Sequence, residues 1–143
     1  MMELKDDYFA AEPELVAQLE QIDGLRKVYT TADIAEAAER SQLTPAAHVI
    51  YGGDAIATNA QGGALSHVTQ TWIVILAVRQ RESGQSGKLL AKLIHTLSGH
   101  HTTLGNVRRV NAPNRPTFSD GFGYYPLAFE IKFRTQNIKA GIK

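Results

Sequence analysis

Seven consecutive apolar residues, Trp72-Ile-Val-Ile-Leu-Ala-Val78, constrain this chain more than any other stretch. The run lies between Thr69-Gln70-Thr71 and Arg79 and is rich in β-branched types. It is far too short for a bilayer, which needs about 20 residues, and its composition favours a strand over a helix. Successive strand side chains point to opposite faces, so an unbroken apolar run predicts a central strand covered on both sides.

The cover must come from the other elements. Pro13 suits a first helical turn, and Leu15, Val16, Leu19 and Ile22 recur on one side until Gly24, which predicts a helix over 13–23. Leu25 to Tyr29 reads as a short strand. Thr30-Thr-Ala-Asp33 resembles a capped helix start and leads into a short, alanine-rich helix that ends before Pro45. Ala46 to Tyr51 is the next strand, broken by Gly52-Gly53. The small, polar stretch from there to Gly63 reads as the tip of a long hairpin. Its length fits a contact loop, and its composition fits a mobile surface loop at least as well.

The long strand spans Leu65 to Arg79. Leu89, Leu90, Leu93, Ile94 and Leu97 then give a helix over 87–98 the best apolar stripe in the chain, with Gly99 as its stop. Each of these side chains contributes roughly 1.5–3 kcal/mol if fully buried. A strand near Val107 to Asn111 precedes a Pro-, Gly- and Asn-rich loop from Asn111 to Gly123. In the last strand Tyr125, Leu127, Phe129, Ile131 and Phe133 alternate with Pro126, Ala128, Glu130, Lys132 and Arg134, which predicts one buried and one wet face. Residues 1–10 and 135–143 read as flexible tails.

The order α-β-α-β-β-α-β-β predicts an α+β fold, a two-layer sandwich with a mixed, mostly antiparallel sheet and helices mainly on one face. At 143 residues it fits one domain over 1–143. A two-layer sandwich leaves one sheet face open, in tension with a strand that calls for cover on both. Either loops or another subunit supply the third layer.

Chemistry is scarce. There is no cysteine, which excludes disulfides, thiolate metal sites and a cysteine nucleophile. His48, His67, His95, His100 and His101 have no metal-binding spacing, and Ser83, Ser86 and Ser119 lie in no nucleophile elbow. Asp54 and Asp120 sit in glycine-rich turns, where local backbone hydrogen bonds favour aspartate. Ser83-Gly-Gln-Ser-Gly-Lys88 stands between strand and helix as a phosphate loop would, but has Glu82 and Leu89 where that motif needs glycine and a hydroxyl residue. A small hydrolase or nucleotide-binding domain using Lys88 with Asp120 or His48 is the enzymatic alternative. Arg108, Arg109 and Arg115 with the following aromatics share features with a single-strand-binding surface, but the formal net charge is +1, and Tyr125 falls on the core side of its alternation. The charged N-terminus lacks the apolar segment of a secretory signal, so synthesis in the cytoplasm is expected.

Three segments together carry a resemblance: Ala46-Ala-His-Val-Ile-Tyr-Gly-Gly53, Gln70-Thr-Trp-Ile-Val-Ile-Leu-Ala-Val-Arg79 and Ser119-Asp-Gly-Phe-Gly-Tyr-Tyr-Pro-Leu-Ala-Phe129. In order and spacing they resemble the tail terminator, or tail completion, proteins of tailed bacteriophages, particularly the Mu-like group. Val28-Tyr-Thr-Thr-Ala-Asp33 and the Thr44-Pro45 step fit as well. The resemblance implies a structural protein of the virion neck, made in the host cytoplasm and assembled as a homohexameric ring on the head-proximal end of the tail tube. Its implied partners are further copies of itself, the tube protein, with sheath protein as an additional neighbour, and the head connector. Non-specific contact with DNA in the lumen is implied too, and no membrane, enzyme activity or cofactor. Another ring protein of the same neck is the nearest alternative. Contact candidates are Gly53, Asp54, Asn59 and Gln61 in the hairpin tip, and Arg108, Arg109, Arg115, Phe118, Asp120 and Phe122 in and before the second loop. The expected ring would supply the missing cover for the sheet.

Overall fold

The computed structural model describes residues 2–33, 41–57 and 65–136. Among these residues two α-helices, α1 (Ala11–Leu19) and α2 (Ser86–Leu97), accompany seven strands: β1 (Lys27–Thr30), β2 (Ala46–Ile56), β3 (Leu65–Arg79), β4 (His101–Thr102), β5 (Gly105–Val110), β6 (Thr117–Ser119) and β7 (Phe122–Gln136). The sheet order is β1-β2-β3-β7-β5-β4, with β6 also on β7. Only β1 and β2 run parallel among the named strand pairs. The expected mixed, mostly antiparallel α+β sandwich is what forms.

β3 is the central strand, antiparallel to β2 on one side and to the whole of β7 on the other, from Leu65↔Gln136 to Arg79↔Phe122. Trp72, Val74, Leu76 and Val78 are buried in one core with Leu15 and Leu19 of α1 and Leu89, Leu93 and Leu97 of α2. From β7 the same core takes Leu127, Phe129, Ile131 and Phe133, as the alternation predicts, but Ala128, expected on the wet face, is only 1% exposed. The other face differs from the expectation of cover on both sides. Ala77 is buried with Tyr29 and Ala46, but Ile73 and Ile75 stay partly exposed. Among the described residues both α-helices pack on one face, and on the opposite face Ala128, the partner of Ile73, is nevertheless buried.

Several boundaries shift for physical reasons. The first helix ends at Leu19, before the expected residue 23, and Ile22 enters the core from the following turn. Gly24 takes φ 102°, and a Cβ there would stand 2.9 Å from the end of the Leu89 side chain, so a side chain in this turn is strained. The capped start at Thr30 is real: its N–H and hydroxyl both donate to Asp33, at 2.7 and 3.1 Å, over the 3-10 turn Thr31–Asp33. The rest of that expected helix lies outside the described residues. Gly52-Gly53 does not break β2. The register slips between Tyr51 and Gly53, a bulge with Gly53 at φ 99°, and pairing continues to Ile56↔Val68.

The expected loop from Asn111 to Gly123 contains β6 and a two-residue hairpin. Asp120 (φ 52°) and Gly121 (φ 81°) link Ser119 to Phe122, the left-handed pair that such a turn requires. Between the registers of β6 and β5 on β7 lie Tyr125, Pro126 and Leu127, paired only with β3. Pro126, which has no N–H to give, thus sits where the sheet is interrupted on its outer side. The N-terminal residues, expected as a loose tail, are held. The Leu4 N–H donates to the Arg134 carbonyl at 2.9 Å, and the Arg134 N–H to that of Met2 at 3.1 Å. The candidate tail from 137 onward lies outside the described residues, as do Asn59 and Gln61.

Candidate functional site: surfaces for assembly

The sheet sorts the remaining candidates into three places. Gly53 pairs with Thr71, whereas Phe122 pairs with Arg79 at the other end of β3. Eight strand residues separate these levels, about 27 Å. The β2–β3 hairpin and the β6–β7 hairpin therefore occupy opposite ends of the sheet, while Arg108 on β5 lies across β7 at the level of Gly53.

At the first end Asp54 is exposed and lies in β2 rather than in a turn. Its carboxylate accepts a short hydrogen bond from the Tyr8 hydroxyl. Burial, and then this bond, push the Tyr8 hydroxyl far above its usual range, so it remains a donor at any working pH. Tyr8 also packs edge-on against Phe9, Tyr51 and Phe133, and Phe9 against Trp72. Beneath them Gln70, fully buried, donates to the Tyr8 carbonyl at 2.8 Å and accepts from the Trp72 indole at 2.8 Å. The base of the hairpin is thereby fastened to the N-terminal segment.

On β5 the neighbouring arginines part company. Arg108 lies opposite Glu130 and bonds it at 2.9 Å on the open face, while Arg109 lies opposite Phe129 on the helix side. Both reach the rim of an open cleft of about 600 Å³ where β5 leaves β7, floored by Val110, Pro126 and Leu127. Arg115 is exposed on the segment that follows. At the second end Phe118 is 72% exposed, touching Tyr125 edge-on, and Asp120 is exposed in the turn. Phe122 is a correction. It is only 3% exposed, covered by the Arg79 guanidinium 4.8 Å from its ring, and so presents no surface to a partner. The apolar residues of the open face, Ile50, Ile73, Ile75 and Pro126, did not figure among the contact candidates. Their signal was the odd positions of the Trp72–Val78 run and the wet side of β7.

No constellation for catalysis stands out among the described residues. Lys88 is exposed on α2. His48 stacks on Tyr29 at 5.0 Å and is hydrogen-bonded to Gln42 at 3.0 Å, and burial holds its pKa below the usual value. Glu82, in the place where a phosphate loop needs glycine, accepts from the Arg79 N–H at 2.8 Å and the Thr44 hydroxyl at 2.9 Å. Among the described residues no group of three His, Asp or Glu could hold a metal ion, and no helix is long and apolar enough to cross a membrane.

The fold has a solved counterpart in a chain of the virion of a native gene transfer agent particle. It aligns with a TM-score of 0.56 at 14% identity, covering 90% of this chain and 99% of that one. At that identity the likeness concerns the fold. No curated protein matches the sequence. The family model described as phage tail terminator protein matches residues 4–139. With nearly its whole length matched, the chain belongs to the phage tail terminator family, a family of structural tail proteins.

Proposed function

We propose that this protein closes into a homohexameric ring on the head-proximal end of the tail tube, stops tube growth and offers its other surface to the head connector. Family membership supports the tail role. The observation that supports the ring is the partial exposure of Ile73 and Ile75 in the middle of the central strand, on the face opposite α1 and α2. Cyclic assemblies cover such surfaces by burying different patches of each copy against its neighbour. The two hairpins at opposite ends of the sheet suit contacts with different partners, tube protein and, where a sheath exists, sheath protein on one side and connector on the other. Exposed Arg109 and Arg115 are the candidates for acidic neighbours or for DNA in the lumen. In this reading the protein is made in the host cytoplasm, resides in the virion neck and acts without catalysis or cofactor. Tail length in particles lacking the protein tests it: overlong tubes are expected, whereas tubes of normal length with undocked heads would assign it to another neck ring. Light scattering over a wide concentration range provides the second arm. A species that stays monomeric, alone and with purified tubes, overturns the reading.

A further inference from the structure

The free edge of the β6–β7 hairpin is one residue long. Asp120-Gly121 joins Ser119 to Phe122, the pair that closes a two-residue hairpin and exchanges its N–H and C=O groups across the ladder. Alternation then turns the backbone of Thr117 and Ser119 toward β7 and the Phe118 N–H and C=O away from it. No other strand flanks β6 among the described residues. Two residues before Phe118, Pro116 has no N–H for a second outward rung, and two residues after it Asp120 is already in the turn. The edge therefore offers one donor and one acceptor, both on Phe118. The same residue carries the most exposed large apolar side chain described. A Cβ on Gly123, which faces it, would stand 3.1 Å from its ring, and Tyr125 meets the ring edge-on, yet Phe118 remains 72% exposed. Exposed Arg115 and Asp120 flank it with opposite charges, and neither is ion-paired among the described residues. The turn itself is fastened to the body, since the Gln80 N–H donates to the Gly121 carbonyl at 2.8 Å.

We infer that β6 of one copy pairs edge to edge with β6 of a second copy across a two-fold axis at Phe118. In an antiparallel pair two facing residues exchange both N–H···O bonds, so one residue on each chain satisfies the other. The two rings then lie side by side, Thr117 faces Ser119 of the second copy, and each Arg115 comes within reach of the opposite Asp120. A strand of a different protein suits the edge less well. It would find no second rung, and a partner surface of one sign would meet either Arg115 or Asp120 as a like charge. The contact uses the same patch on both copies, so it closes at a pair. Because the hairpin stands at one end of the sheet, the two bodies extend away from each other. The inference goes beyond the ring reading: in such a ring, with these hairpins on one rim, two rings meet rim to rim. Three residues a side fall far short of the about 800 Å² per partner of a stable pair. One contact alone is therefore weak, and several on one rim act together.

The full chain has no cysteine, so single cysteines report the register. Facing residues of a non-hydrogen-bonded antiparallel pair lie about 4.5 Å apart at Cα, within the span of a disulfide. Thr117→Cys and Ser119→Cys chains, both altered at exposed positions, are expected to cross-link to each other under mild oxidation and not within either variant alone. Adding Phe118→Ser to both should lower the yield about tenfold, as for loss of a central aromatic anchor. No cross-link in the mixture, or equal cross-linking within each variant, overturns the contact. Cysteines that stay free in the mixture but become shielded from alkylation on purified tubes give the edge to a tube partner and overturn it too. Sedimentation of the unmodified protein separates the two readings. Rings that never double overturn this contact and leave the ring standing, paired chains without rings leave this contact alone, and monomers at every concentration, with tubes or without, overturn both.

Discussion

Gln70 is the clearest example of a residue whose role needed the third dimension. In sequence it is one polar residue before an apolar run. In the fold it is fully buried and joins the Tyr8 carbonyl to the Trp72 indole. Gln70→Leu leaves both without a partner, at about 1–3 kcal/mol for each buried polar group orphaned. Denaturant melts should show that loss, and a variant as stable as the parent would contradict the described bonds. His48 gives a pH dependence. Burial lowers its folded pKa below the ordinary histidine value of about 6.5, so the unfolded chain takes up a proton before the folded one does. Its contribution is complete above about pH 6.5 and is lost as pH falls from there through the folded pKa. His48→Gln should flatten the acidic side of the melting-temperature profile. Phe122 marks the limit of pattern reading. Its strand is legible only from Tyr125 onward, because Gly123 interrupts the alternation, so the pattern places Phe122 in a loop although its ring is buried.

Among the elements, β3 and α2 were legible almost to the residue, since a long apolar run and a five-member helical stripe each allow one environment. β4 and β6, two and three residues long, are too short to carry a period, and tertiary pairing alone defines them. The β6–β7 hairpin nevertheless had a local signal in Asp120-Gly121 beside Thr117-Phe118-Ser119. Gly121→Ala places a side chain at φ 81° and should cost about 1–2 kcal/mol, read by thermal unfolding. Leu93, fully buried under the sheet, is the corresponding test of the helix layer: Leu93→Ala should cost about 2–5 kcal/mol. A small effect at Leu93 would mean that α2 is not the cover that the core implies.

For the whole molecule, the tension present in the sequence turned out to be a property of the fold. A strand composed for cover on both faces has both described α-helices on one, and Ile73 and Ile75 in the middle of the other remain partly exposed. The sequence indicated that cover was missing, but strand neighbours and register were needed to show which side chains lacked it. An enzyme reading makes a contrary forecast: a nucleotide or divalent metal at a hundred times its dissociation constant would add about 2.7 kcal/mol of stability. No such shift is expected here. The central claim is most directly tested by electron microscopy of growing tail tubes with the purified protein added. A ring at one end of each tube, and tubes that cease to lengthen, is the predicted result; tubes that keep growing with bare ends would contradict it.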